Sequence, residues 1–203
     1  MTTQKSKTKS RGWLKWLGRL TGVGLAAAVS GASLFMIVFS VVYSQLPPID
    51  SLTEYKPKVP LRVWSADGTL IGEYGEERRD FVRLDEIPGF VRNAVLAAED
   101  NGFYEHSGIE FMGIARAALS NILTGRRGQG GSTITMQVAR NFFLSSERTY
   151  TRKLYEVAMA YKIERHLTKD QILEVYLNQI YLGQRAYGFA SAAQVYFGKK
   201  LNE

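Results

Sequence analysis

Residues 20–43 carry no charge, and at about 1.5 Å of helical rise per residue that run is long enough to cross a hydrocarbon layer of about 30 Å. A chain with such a segment near its start is expected to place one helix in lipid and to fold everything else on one side of it. Lys5, Lys7, Lys9, Arg11, Lys15 and Arg19 all precede the first acidic residue, Asp50. That asymmetry predicts a single-pass protein of the inner (cytoplasmic) membrane, with its N-terminus in the cytoplasm and its folded part periplasmic or extracellular. A cleavable signal peptide is the competing reading, because residues 26–32 (Ala-Ala-Ala-Val-Ser-Gly-Ala) offer a peptidase small side chains. The apolar run exceeds the usual core of about 7 to 15 residues in such peptides, which favours the membrane helix. Trp13 and Trp16 add an interfacial anchor on the cytoplasmic side.

The same six cations account for most of the formal net charge of +7, and the remainder of the chain is nearly balanced. Read by location, the charge therefore speaks for membrane topology and against a nucleic-acid partner. The absence of cysteine removes disulfides, thiol nucleophiles and thiolate metal sites together. A length of 203 residues accommodates one anchored domain but not two full catalytic domains. The expected division is a basic cytoplasmic tail at 1–19, a transmembrane helix at 20–43, a linker at 44–60 kept extended by Pro57 and Pro60, and a folded domain at 61–203.

Within that domain the pattern is mostly helical. Leu61-Arg62-Val63-Trp64 and Thr69-Leu70-Ile71-Gly72-Glu73-Tyr74 flank Ser65-Ala66-Asp67-Gly68, and an Asp-Gly pair between β-rich runs predicts a hairpin. Pro88 suits a first helical position, and Val91, Ala94, Val95 and Ala98 then share a face that brings Glu99 to the helix end. Thr168-Lys169-Asp170-Gln171 reads as a capping box ahead of an apolar stripe at Ile172, Leu173 and Tyr176. A last helix at 188–197 stops at Gly198. Residues 125–131 (Gly-Arg-Arg-Gly-Gln-Gly-Gly) predict a basic loop, mobile and drawn to anions, or else an inert connector.

Transfer of a group from a diphosphate donor needs a base for the acceptor hydroxyl and cations for the leaving anion. Glu99 and Asp100 supply an acidic pair at a helix end; Arg140, Arg148, Arg152 and Lys153 surround a further carboxylate, Glu156. Arg152 and Glu156 are also spaced as an ordinary surface ion pair on one helix. His106 and His166 are too far apart in sequence to suggest a histidine metal site. Residues 125–132 nearly spell the phosphate-binding loop of nucleotide hydrolases, but Gly131 stands where the lysine is required and a helical pattern, not a strand, precedes it.

Glu99-Asp100-Asn101-Gly102-Phe103-Tyr104-Glu105-His106-Ser107-Gly108 resembles the first motif of the peptidoglycan glycosyltransferases, the family shared by class A penicillin-binding proteins and monofunctional enzymes. Gly131-Ser132-Thr133-Ile134-Thr135-Met136-Gln137 resembles the second, Arg152-Lys153-Leu154-Tyr155-Glu156 the third, and Ile172-Leu173-Glu174-Val175-Tyr176-Leu177-Asn178 the fourth. Arg185-Ala186-Tyr187-Gly188-Phe189-Ala190-Ser191-Ala192-Ala193, with Tyr196-Phe197-Gly198-Lys199, is similar to the fifth. The resemblance covers residues 62–199 and is greatest to the 1a type.

The resemblance implies a mainly α, lysozyme-like two-lobed domain with a short β-hairpin region, preceded by one transmembrane helix, its smaller apolar lobe touching the membrane. Phe142, Phe143 and Leu144 are the candidates for that contact. It implies an inverting glycosyltransferase that polymerises lipid II and releases undecaprenyl diphosphate. Glu99 resembles the catalytic base and Glu156 the second essential carboxylate. The substrate-binding positions it implies are Asp100, Phe103, His106, Ser132, Thr133, Gln137, Arg140, Arg148, Arg152, Lys153, Asn178 and Arg185. A helix N-terminus near Ser132 is expected to add backbone donors for the diphosphate. No cofactor is required; a divalent cation, magnesium or manganese, is allowed near Glu156. Implied partners are lipid II, the growing glycan strand, the membrane, and the regulators and transpeptidases of wall synthesis.

Because the family's domains continue through further helices, the chain is expected to be truncated at its C-terminus and to belong to a longer bifunctional protein. Ser6-Lys7-Thr8-Lys9 spells S-x-x-K by coincidence, in the cytoplasmic tail. Two other readings remain: a lysozyme-like hydrolase, against which the cationic set argues because a neutral glycosidic bond has no diphosphate to stabilise, and a catalytically silent membrane scaffold.

Overall fold

The computed structural model describes residues 12–53, 61–75, 77–125, 131–144 and 150–203. Its first element is the helix α1 (Gly12–Ser44), within which residues Trp16–Ser44 are long and apolar enough to cross a membrane. The uncharged run 20–43 lies inside it. Pro47 and Pro48 follow closely on its last turn, where their fixed φ and missing N–H rule out continuation. The chain divides after Gln45 into α1 and a second unit that begins at Leu46.

The start of that second unit is fastened to it. Leu46, Ile49 and Leu52 are buried, the last two flanking and within the short helix α2 (Asp50–Thr53). Lys162 Nζ donates to the carbonyls of Leu46 and Pro47, at 3.3 and 2.8 Å. The expected linker is therefore docked at residues 46–52; the stretch 54–60, with Pro57 and Pro60, lies outside the described residues.

Strands β1 (Leu61–Trp64) and β2 (Leu70–Tyr74) form the predicted antiparallel hairpin, with Leu61 opposite Tyr74 and Trp64 opposite Leu70. Gly68, at φ +82°, supplies the left-handed residue of the turn. A second, unpredicted pairing joins β3 (Arg78–Arg79) in parallel to β4 (Ala186–Tyr187), far away in sequence. Arg79 secures it: its guanidinium reaches Gln179 Oε1 at 2.7 Å and lies 4.3 Å from the centre of the Tyr187 ring.

A single 3-10 turn at Leu84–Glu86 leads into α3 (Gly89–Glu99), for which Pro88 is the cap and not the first helical residue. Then follow α4 (Phe111–Thr124), α5 (Ile134–Phe143), α6 (Tyr150–Glu164), α7 (Lys169–Gln179) and α8 (Phe189–Phe197). The Thr168 box caps α7 as the sequence predicts: Gln171 N donates to Thr168 Oγ1 at 3.3 Å and Thr168 N to Gln171 Oε1 at 2.8 Å. Gly198, at φ +64°, closes α8.

The core lies where α5, α6 and α7 meet. Ile134, Met136 and Val138 of α5, Met159 and Ile163 of α6, and Ile172, Leu173 and Leu177 of α7 are all buried to within 1%. At about 1.5–3 kcal/mol for each large apolar side chain removed from water, these three helices are the rigid part of the unit. The mainly helical fold with one small hairpin is the one the sequence predicts. Glu99 ends α3 as the shared face predicts, and of Val91, Ala94, Val95 and Ala98 only Val95 is buried. Ala97 and Ala98 instead border an open cavity.

Candidate active site

That cavity, of about 370 Å³, is lined by the end of α3, the residues just after it, the first turns of α4 and the segment 131–133 before α5. Glu99 is the last residue of α3, and its side chain is exposed here. Its Oε2 accepts a hydrogen bond of 2.9 Å from Gln137 Nε2, on buried α5. A carboxylate held at one oxygen by a rigid amide keeps its other oxygen free for a proton. That is the geometry a general base needs.

The neighbouring Asp100 does different work. Its side chain is 1% exposed, its Oδ2 accepts from Ile134 N at 2.9 Å, and both oxygens face His106 Nε2, at 2.9 and 3.1 Å. His106 Nδ1 accepts from Gly108 N at 3.1 Å, so in the neutral ring the proton sits on Nε2 and is donated to Asp100. The α5 N-terminus is thus already filled by a protein carboxylate, while Thr133 caps Met136 N at 3.2 Å. Two of the backbone donors at the head of α5, Ile134 N and Met136 N, are therefore engaged within the protein.

On the side of α6, Glu156 is buried at 1%. Arg152 Nε stands 3.2 Å from its Oε1 and Lys153 Nζ 3.0 Å from its Oε2. Lys153 also donates to Ser132 Oγ at 2.8 Å, which brings an ammonium to the rim of the cavity through a residue that lines it. The i,i+4 pair is therefore no surface ornament; its carboxylate is inside. With a cation facing each oxygen, Glu156 presents the donor set of a counter-ion and not that of a metal ligand. No group of three acidic or histidine side chains suited to a metal occurs among the described residues.

Of the other predicted positions, Phe103 is fully buried and packs edge-on to His106, behind the cavity. Asn178 is buried as well, with its amide committed to backbone: Oδ1 accepts from Val82 N, and Nδ2 donates to Val82 O and Glu174 O. It braces the segment that leads into α3. Arg185 adopts φ +61° in the loop before β4 and reaches Gly75 O at 3.4 Å. Arg140 is half-buried in the last turn of α5, and Arg148 lies outside the described residues, as does 126–130 of the basic loop.

Sequence reasoning missed Glu105, Glu110 and Arg116, which all line the cavity, the last two pairing at 3.3 Å. Each is an isolated charge on a loop or helix start, without a spacing signal. It also took Tyr176 for a core residue only. Burial first, and then the negative charge of Glu99, push its phenol well above the usual tyrosine range, against the opposing effect of Arg140. Tyr176 is thus a neutral hydroxyl within electrostatic reach of both.

The unit that follows the helix of membrane-spanning length thus sets a hydrogen-bonded carboxylate, Glu99, on one wall of the cavity and paired cations beside another. Residues 67–203 match the sequence model of the family described as Transglycosylase, and the chain belongs to that family. It is 56% identical over 182 residues to penicillin-binding protein 1A of Neisseria gonorrhoeae, covering 90% of this chain and 23% of that protein. To penicillin-binding protein 1A of Escherichia coli (strain K12) it is 51% identical over 173 residues, covering 85% and 20%. The chain thus spans under a quarter of the length of these relatives. Among solved structures it is similar to penicillin-binding protein 1A from Haemophilus influenzae, with 26% identity and a TM-score of 0.29 over 73% of this chain and 12% of that one.

Proposed function

We propose that this chain is an inverting glycosyltransferase that elongates peptidoglycan glycan from lipid II. The observation that carries the reading is the Glu99 carboxylate, open to the cavity and steered by Gln137, with Lys153 held at Ser132 on the same rim. In the proposed step the 4-hydroxyl of the acceptor sugar gives its proton to Glu99 while its oxygen bonds to the anomeric carbon of the growing strand. The bond from that carbon to the diphosphate breaks, the electron pair leaves with undecaprenyl diphosphate, and the carbon inverts. Lys153, Arg140, Arg152 and Arg148 receive the leaving anion, and Glu156 keeps Arg152 and Lys153 in place. Since Glu156 has the donor set of a counter-ion, no step is routed through a metal.

The charge asymmetry around α1 supports a cytoplasmic N-terminus and an outward-facing catalytic unit in the inner membrane. For the lipid contact of the unit itself, α4 is a better candidate than residues 142–144. Phe142, Phe143 and Leu144 are half-buried, whereas Phe111, Met112, Ile122 and Leu123 are 74–79% exposed. Regulators and transpeptidases of wall synthesis are the proposed protein partners.

The test is polymerisation of labelled lipid II by this chain in bilayers, beside Glu99→Gln. Polymer from the parent and none from the variant is the expected result. Shortening of purified glycan without consumption of lipid II would replace the reading by hydrolysis, and turnover that survives Glu99→Gln would remove Glu99 from the role of base.

A further inference from the structure

We infer that Glu164, outside every motif and outside the cavity lining, is a positioning residue for the transfer step, acting through Thr135; the inference rests on the proposed glycosyl transfer. Glu164 ends α6, and its side chain is 9% exposed. Its Oε1 accepts from Thr135 Oγ1 at 2.6 Å and from Lys169 Nζ, at the start of α7, at 2.7 Å. Lys169 in turn lies 4.4 Å from the centre of the buried Phe103 ring. One carboxylate therefore joins α5, α6 and α7 and touches the segment that carries the base.

The contact with that segment is tight. Gly108 sits at φ +85°, and a Cβ there would come within 2.9 Å of Glu164 Cγ and 3.2 Å of the Ala160 carbonyl. Three consecutive residues at the head of α5 are then tied to three different places. Thr133 Oγ1 donates to Gly108 O at 2.6 Å, Ile134 N donates to Asp100, and Thr135 Oγ1 donates to Glu164. Ser132, immediately before them, holds Lys153, and Gln137, just after them, holds Glu99. The head of α5 is the joint between the half of the site that carries the Glu99 carboxylate and the cationic half, and Glu164 is its attachment to α6 and α7. Thr135 is fully buried, so without Glu164 its hydroxyl loses its acceptor in a place water does not reach.

The test compares Thr135→Val, which keeps shape and removes the hydroxyl, with Thr135→Ser, Glu164→Gln and Glu164→Ala in the full chain. The expected result is a roughly tenfold lower kcat on lipid II for Thr135→Val, KM within about twofold, recovery by Thr135→Ser, and no further loss when Thr135→Val is added to Glu164→Ala. A second readout needs no turnover: the Gln137 side-chain amide resonance should follow the ionisation of Glu99 in the parent, and its pH-dependent shift should shrink by at least half in Thr135→Val. An unchanged Gln137 response in Thr135→Val overturns the inference, whatever the activity. So does a kcat loss that disappears once the variant is assayed at equal distance from its Tm. An inactive parent with the Gln137 response lost in Thr135→Val would instead count against the proposed reaction and uphold the joint.

Discussion

Gln137 Nε2 donates to Glu99 Oε2 across 2.9 Å, from a helix that lies 38 positions further along the chain than the carboxylate it steers. The amide comes from a buried position on α5 and the carboxylate from an exposed helix end. The rigid partner therefore dictates the orientation of the free one. A hydrogen bond to a charged group contributes about 1.5–3 kcal/mol. Gln137→Ala should lower kcat on lipid II by roughly 10- to 100-fold, and Glu99→Gln by at least about 100-fold, because general base catalysis typically supplies about 10² to 10⁴. Initial rates of lipid II consumption check both, and a Gln137→Ala rate within twofold of the parent would show that Glu99 needs no steering.

Glu156 is the buried member of its cluster, while Arg152 and Lys153 are 18% and 44% exposed. Removing the carboxylate leaves two cations without the buried counter-charge between them. Losing one side of a buried pair costs about 3–5 kcal/mol, and the access of both cations to water puts this case at the lower end. Glu156→Ala should therefore lower Tm by about 6–12 °C, with Glu156→Gln intermediate. Thermal unfolding in detergent, followed by circular dichroism, is the measurement. A Tm unchanged in Glu156→Ala would mean that the cations are solvated without it.

Tyr176 makes a prediction in the alkaline range. Its phenol is raised by burial, and then by Glu99, above the value of about 10 that it has in the unfolded chain. The folded state therefore keeps a proton that the unfolded state releases, and the stabilising contribution is complete below pH 10 and falls as pH rises beyond it. Relative to Tyr176→Phe, the parent should lose about 1.4 kcal/mol of stability per pH unit above 10. Urea unfolding of both proteins between pH 9 and 11 gives the difference; parallel curves would contradict a buried, proton-retaining phenol.

The exposed apolar stripe of α4 should lie against lipid. A polarity-sensitive fluorophore at position 122 in bilayer discs is expected to emit at shorter wavelength than the same fluorophore at exposed Tyr104, and the pair Ile122→Asp and Leu123→Asp should slow lipid II turnover in bilayers more than in detergent. Equal emission at the two positions would leave α4 in water.

Much of this was legible because some signals are local. The Thr168 box, the Asp67-Gly68 turn and the Gly198 stop each need only a few residues to act, and each appears where the sequence puts it. Glu99 and Gln137 were both singled out by type and motif. Their hydrogen bond was not, because nothing in a linear pattern says which donor reaches which oxygen. The β3–β4 pairing is two residues long and has no periodicity to read. The face shared by Ala94 and Ala98 locates the helix end but does not say what lies against it, and here that face is open or borders the cavity. Asp100 stands out in the motif by its charge, but only the fold reveals that it accepts from Ile134 N.

That last bond bears on how such a site survives substitution. Main-chain N–H groups are supplied by almost any residue, so an anion pocket made from the head of a helix tolerates most codon changes. In the proposed reaction, with Asp100 seated on Ile134 N at the head of α5, more of the attraction for a diphosphate would fall to side chains such as Lys153 and Arg140, each removable by one nucleotide change. The same dependence leaves the strength of that attraction open to gradual adjustment, one side chain at a time.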